Sequence, residues 1–249
     1  MTSTPGSQTN QGQAQAQDLT LVTAAIARLR AEHDGASENA TRAILLHEIG
    51  VLEERLGDEA ASARDQLGAV NAEPDFREPL ERLIAIIERR QSYKNLGKLL
   101  ERLVRVAERP DERARALLDQ AFYLCDHEDD FANARTLLEQ ATDESPNDAS
   151  LWLALELIAG RLGDSELRER ALIARAALTQ NKLWKALLLL SLAEMRVANG
   201  DYEAAERTLD EGLSFLPRPR SHCCACWQRW DRKAARSVSA CAPTRASQN

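Results

Sequence analysis

The sequence predicts an all-α chain, a right-handed α-solenoid built from antiparallel helix pairs. Three observations point there. Pro74, Pro110 and Pro146 recur 36 residues apart, and Pro217 follows 71 residues later, two periods less one residue. A period in the mid-thirties, with helical sequence between the beats, marks stacked helix–turn–helix units. Between the prolines the chain is sparse in glycine and rich in Ala, Leu, Glu and Arg, all good helix formers. Period-two alternation and β-branched runs, the marks of strands, are missing.

Residues 1–17 hold Gln, Ser, Thr, Gly and Ala without charge. A tract this polar buries too little apolar surface to order itself, so it is expected to be disordered. It also lacks the basic start and apolar stretch of a secretory signal, so a cytoplasmic location is expected. Residues 18–38 hold a helix from about Asp18 to His33, with Leu19, Val22, Ala25, Ile26 and Leu29 on one face. It is expected to cap the first repeat or to form half of an incomplete one. The array itself spans 39–217 in five units, at about 39–74, 75–110, 111–146, 147–182 and 183–217. The longest leucine-rich run, Leu187 to Leu192, is too short to cross a bilayer and reads as repeat core.

Within the units the turn residues recur. Gly200-Asp201-Tyr202-Glu203-Ala204-Ala205 is followed by Leu209, Gly212 and Pro217, and Gly57-Asp58 by Ala69 and Pro74. Asp130-Phe131 is followed by Ala134, Leu138, Ala141 and Pro146, while Gly163-Asp164 and Gln91-Ser92-Tyr93 supply two more turns. Glycine ends a first helix in the left-handed conformation, and the Asp then caps the second helix through its free N–H groups. A small residue inside the second helix lets the pair approach, and proline stops the unit.

These residues resemble the tetratricopeptide repeat (TPR), of the kind found in long bacterial arrays. That consensus has Gly-Asp-Tyr at the turn, Ala three residues after the Tyr, and Pro twelve after that Ala. Ala205 with Pro217 and Ala134 with Pro146 obey it. Trp152 falls where the family often has Trp. Leu96 stands where a small residue belongs and Glu108 two residues before Pro110, which predicts looser packing in the second unit. Phe122 replaces a small residue in the third, which predicts a first helix shifted by one position.

The resemblance implies a concave groove lined by the first helix of each unit. By position these lining residues are His47, Val51, Glu54 and Arg55, then Glu81, Ala85, Glu88 and Arg89, then Asp119, Tyr123 and Asp126. The fourth unit adds Leu153, Leu157 and Arg161, and the fifth Leu190, Glu194 and Val197. The Lys and Asn with which family members grip a C-terminal carboxylate are missing from this set. What remains suits an extended or helical peptide with basic and apolar residues. The implied function is a protein–protein scaffold or adaptor with a protein or peptide partner.

No catalytic, cofactor-binding or metal-binding set emerges. Cys125 and His127 are two apart on a helix and point about 200° from each other, so they do not form a nucleophile–base pair. A glycine-rich phosphate loop, an H-E-x-x-H and a nucleophile elbow are all missing, and the chain reads as a non-enzyme without cofactor.

From Arg218 onward the composition changes: Leu, Ile, Glu and Gly vanish, and Cys223, Cys224, Cys226, Cys241, Trp227 and Trp230 appear. This tail carries +6, against −7 for the whole chain and −13 for residues 1–217. Its mixture is what a GC-rich coding sequence gives out of frame. His222, Cys223 and Cys226 lack the second spaced pair that zinc needs. Two further readings follow. The chain could be a truncated fragment of a longer array without independent function, or a nucleic-acid-linked regulator acting through the tail; the acidic body opposes the second. With nothing recognisable covering the last helix, Leu209, Leu213 and Phe215 are expected to be exposed and to favour self-association.

Overall fold

The computed structural model describes residues 6–216. Residues 1–5 and the cationic tail from 217 on lie outside them, as does Pro217. Among the described residues there are eleven α-helices and no strand. The chain divides into two compact units between Ser145 and Pro146.

The first unit contains α1 (Gly6–Gly35), α2 (Asn39–Arg55), α3 (Glu59–Ala72), α4 (Arg77–Arg89), α5 (Leu96–Val106), α6 (Pro110–Tyr123) and α7 (Phe131–Glu144). A short 3₁₀ turn, Tyr93–Asn95, precedes α5, and a π turn, Leu124–Glu128, extends α6. Consecutive helices pack on one another from α1 to α7. α1 begins at Gly6, ahead of the Asp18 start read from the sequence; alanine and glutamine favour helix even without an apolar stripe. It lies on α2 through Val22, Ala25, Ile26 and Leu29, while Leu19, assigned to the same face, stays half exposed. Arg30 adds a polar clasp, donating to Glu53 at 2.5 Å and to Asp65 at 2.9 Å.

Each helix pair is joined by a turn with one left-handed residue: Gly57, Gln91 and Asp129 here, Gly163 and Gly200 in the second unit. The residue after it closes the turn by donating to a carbonyl five positions back, as Asp58 does to Glu53 and Ser92 to Ile87. Asp130 instead reaches six back, to Leu124. The interval from N-cap Arg109 to Asp129 is one residue longer than that from Asn181 to Gly200, and the π turn absorbs the extra residue. That insertion is the physical form of the one-residue shift signalled by Phe122. The Asp side chains then cap the second helices: Asp58 accepts from Ala61 N at 2.9 Å and Asp130 from Asn133 N at 3.0 Å.

Gln91 holds a positive φ of 52° with a Cβ, which costs about 1–2 kcal/mol relative to the right-handed region. Gln91→Gly is expected to raise the unfolding free energy by about 1 kcal/mol in a urea titration. An unchanged or lower midpoint would mean the Gln91 side chain contributes contacts that outweigh the strain.

The prolines that set the sequence period act at unit joints. Pro74 follows the last residue of the α3 cap, Glu73, and Pro110 opens α6 at its first turn, where no N–H is needed. The core of this unit gathers Val70, Leu80, Ile84, Leu96, Leu100, Leu103 and Ala116 from four successive helices. Leu96, in the place of a small residue, is itself buried there.

The second unit contains α8 (Ala149–Leu162), α9 (Ser165–Leu178), α10 (Lys182–Ala198) and α11 (Tyr202–Ser214). Asp164 and Asp201 cap α9 and α11 by accepting from Leu167 N and Ala204 N. Trp152 donates its indole N–H to Pro146 O at 2.8 Å, tying the start of α8 to the joint. The core holds Leu172, Ala176, Leu188, Leu189, Leu192 and Met195, with Phe215 packed against it and Lys185 Nζ 4.8 Å from the Phe215 ring centre. Leu209, Leu213 and Phe215 are therefore half-buried rather than open, because Gly212 lets α11 sit close to Leu189.

Candidate functional site

The candidate site lies on α4 and α6. On α4, Glu81, Ala85 and Glu88 recur at helical spacing and share one face. On α6 the facing residues are Glu112, Arg115 and Asp119, followed by Phe122 and Tyr123. Two adjoining clefts, of about 250 Å³ and about 140 Å³, open between these helices and share Glu88 and Asp119. The larger has an apolar floor of Ile84, Ala85, Leu103 and Ala116. The smaller is lined by Tyr93, Phe122, Tyr123 and His127, with Asp126 at its edge.

Charge in the larger cleft is unevenly paired. Arg77 is held by Glu81 at 2.6 Å and by Glu112. Among the described residues Glu88, Asp119 and Asp126 make no ion pair. Asp119 is exposed as a residue, but the cleft walls crowd its carboxyl and, with Glu88 and Glu81 nearby, push its pKa up to about 6; Arg115 offsets this only in part. Burial likewise raises the Tyr123 hydroxyl, and Glu128 adds to it. The Tyr123 ring rests on α5 at Gly97, where a Cβ would stand 2.8 Å from a ring carbon. His127 stacks on Tyr93 with ring centres 3.9 Å apart and leans on Tyr123 at 5.3 Å.

The other residues read from the resemblance fall differently. Glu54 is engaged by Arg89 at 2.6 Å and Arg82 at 3.0 Å, and Arg89 reaches Glu59 at 3.4 Å, so Glu54 and Arg89 tie α2 to α4. The Arg89 bond holds the Glu54 carboxyl below its usual range. His47 turns to α3: its Nδ1 lies 2.9 Å from Gln66 Oε1, and its ring meets Phe76 edge-on at 5.4 Å. Gln66, fully buried, also donates to His47 O, so His47 serves the α2–α3 interior rather than the groove. Arg55 is exposed and Val51 half-buried. In the second unit Leu153, Leu157, Arg161, Leu190 and Glu194 are exposed and Val197 is half-buried. Leu183, Trp184 and Leu187 on α10 are exposed as well, which the positional reading missed. It also missed Phe122, His127, Arg77 and Arg115. In the sequence Tyr93 shows only as a turn residue; the one-residue insertion before Asp129 is the signal that this corner is unusual.

Among the described residues no group of His, Cys, Asp and Glu is placed to hold a metal ion, and no helix is long and apolar enough to cross a membrane. Cys125 is half-buried, and burial together with Asp126 and Asp130 raises its thiol pKa, opposite to the shift that activates a nucleophile.

Helix pairs with a left-handed turn residue, four of them with capped second helices and all with exposed first-helix faces, define a TPR-like helical-repeat fold. Solved structures agree. A crystal structure of MamA is 16% identical over 70% of this chain and 91% of its own, with a TM-score of 0.52. A second MamA, designated AMB-1, is 15% identical over 71% of this chain and 98% of its own, with a TM-score of 0.51. YrrB, described as a TPR protein with an unusual peptide-binding site, is 13% identical over 75% of this chain and 91% of its own, also with a TM-score of 0.51. Identities this low establish likeness of fold. No protein-family model and no curated protein matches the sequence.

Proposed function

We propose that this chain is a protein-interaction scaffold that holds a peptide or partner protein on the first-helix face of its N-terminal unit, centred on α4 and α6. The carrying observation is the pair of clefts in which Glu88 and Asp119, neither in an ion pair among the described residues, stand beside an apolar floor with Arg115 offsetting the charge of Asp119 only in part. Such a surface is costly to leave alone, since its carboxylates repel one another, and it favours basic and apolar residues. The negative charge of the body, −13 over residues 1–217, adds steering toward a cationic partner. The shared fold of YrrB, whose description names a peptide-binding site, supports the reading.

The test is charge reversal. Glu88→Lys with Asp119→Lys is expected to abolish capture of partners that the wild type retains, and wild-type capture should weaken as salt rises. Glu81 is left alone because its loss would release Arg77. Both chosen side chains are exposed, so far-UV circular dichroism should not change. Recovery of the same partners by the double variant would overturn the assignment of this face.

A further inference from the structure

We infer that the joined clefts of α4 and α6 receive one cationic side chain of the partner, its alkyl stem on the apolar floor and its charged head between Glu88 and Asp119 beside the aromatic rings. This rests on the reading of that face as the docking surface and names what anchors there. Taken singly each cleft is smaller than the roughly 300–1,000 Å³ of a typical small-molecule site, and joined they reach only its low end. A single long side chain is the natural occupant. Lysine and arginine lay their stems on apolar surface while the head seeks charge, and Ile84, Ala85, Leu103 and Ala116 offer that surface.

The head's surroundings select a cation and then an organic one. Glu88 and Asp119 line both clefts, so a head at their junction meets two carboxylates at once. Of the two arginines in the larger cleft, Arg77 is already held by Glu81 and Glu112, and Arg115 offsets the charge of Asp119 only in part without forming an ion pair with it. Tyr93, Phe122 and Tyr123 line the smaller cleft, so a head at the junction lies near aromatic rings, which attract cations. A metal ion would need three ligands converging, and among the described residues no such group exists.

Proton linkage follows. Asp119 titrates at about 6. On α4 it faces Glu88 and Glu81, with the paired Arg77 beyond. On α6 its neighbours are Arg115 and the paired Glu112, and the smaller cleft adds Tyr93, Tyr123, Asp126 and His127. A bound cation favours the ionised carboxylate, so binding expels the Asp119 proton and strengthens as pH rises through about 6.

The experiment titrates the full chain, ¹⁵N-labelled, with N-acetyl-arginine methylamide, N-acetyl-lysine methylamide and the neutral citrulline analogue, reading the Ala85 and Gly97 amides. Saturable millimolar shifts are expected with at least one of the two cations, and binding about tenfold or more weaker for citrulline. Glu88→Gln and Asp119→Asn should each weaken the cation, and Asp119→Asn should remove the pH dependence. Equal binding of citrulline, or no saturable shift with either cation, overturns the inference. A pH dependence that survives Asp119→Asn overturns the proton linkage. If partner capture depends on Glu88 and Asp119 while neither cation saturates, the anchor falls and the docking face stands. If a cation saturates while capture ignores both residues, the cation site stands and the docking face falls.

Discussion

Leu100→Ala is expected to lower the unfolding free energy by about 3 kcal/mol, within the roughly 2–5 kcal/mol seen for leucine truncation in cores. Leu100 is 1% exposed on α5 and packs in one cluster with Val70 of α3, Leu80 and Ile84 of α4, and Ala116 of α6. The cost is the lost transfer free energy plus the void, because helices held by neighbours on both sides collapse only partly into the gap. In a repeat array stability comes from nearest-neighbour interfaces, so the damage should concentrate in α4–α6. Ile84, Leu103 and Ala116 of the same cluster form the cleft floor. The variant should therefore also loosen partner binding without touching an exposed residue. Denaturant titration reads the first effect and amide exchange the second; a loss under about 1 kcal/mol would mean the cluster repacks freely.

Arg30→Met is expected to cost about 2 kcal/mol and to release α1. Arg30 reaches two nearly buried carboxyls, Glu53 and Asp65. Burial, reinforced by Asp65, raises the Glu53 pKa, and Arg30 opposes that rise. Breaking a fully buried pair costs about 3–5 kcal/mol, discounted here because Arg30 is half exposed. Methionine keeps the stem, so the loss reports on charge. The sign of the pH effect is fixed by linkage. A carboxyl whose folded pKa is raised binds its proton more tightly in the native state, so its contribution to stability falls as pH rises above the ordinary carboxylate range. Without Arg30 that fall deepens, and the melting temperature of the variant should lag the wild type more at about pH 7 than at about pH 5. Equal lags at both would show that Arg30 acts through packing alone. Faster exchange of α1 amides would accompany the charge effect, since the hold of the helix on α2 then rests more on apolar residues such as Val22, Ala25, Ile26 and Leu29.

Much of the fold was legible because the repeat writes local chemistry into the chain. Asp58, Asp130, Asp164 and Asp201 cap helices as their place after the turn residue demands, and three of the five turns carry the expected glycine. Gln91 and Asp129 hide the same turn under residues that rarely adopt it, so the second and third units read less clearly. The site was legible only as far as helical spacing reaches. Spacing put Glu81, Ala85 and Glu88 on one face and Asp119 and Tyr123 on another. It placed Arg77 four residues before Glu81 on that helix, but it could not show that Arg77 would also hold Glu112, or that Arg82 and Arg89 would occupy Glu54, since those ion pairs form between helices. Nor could it show that Gln66 would draw His47 inward, a contact 19 residues away in sequence. The aromatic side of the cleft stayed hidden for a related reason. Tyr93 comes from a 3₁₀ turn and His127 from a π turn, neither of which obeys the 3.6-residue period.

The central claim is that the α4–α6 face receives the partner. The most direct measurement replaces Ala85, on the cleft floor, with a small aliphatic diazirine residue, and in a parallel protein Glu101, exposed on α5. Each is photolysed in cells, and the adducts are compared. The account predicts a discrete protein adduct at Ala85, absent at Glu101 and lost when Glu88→Lys and Asp119→Lys are added. An adduct at Glu101 with none at Ala85, or one at Ala85 that survives both charge reversals, would contradict it.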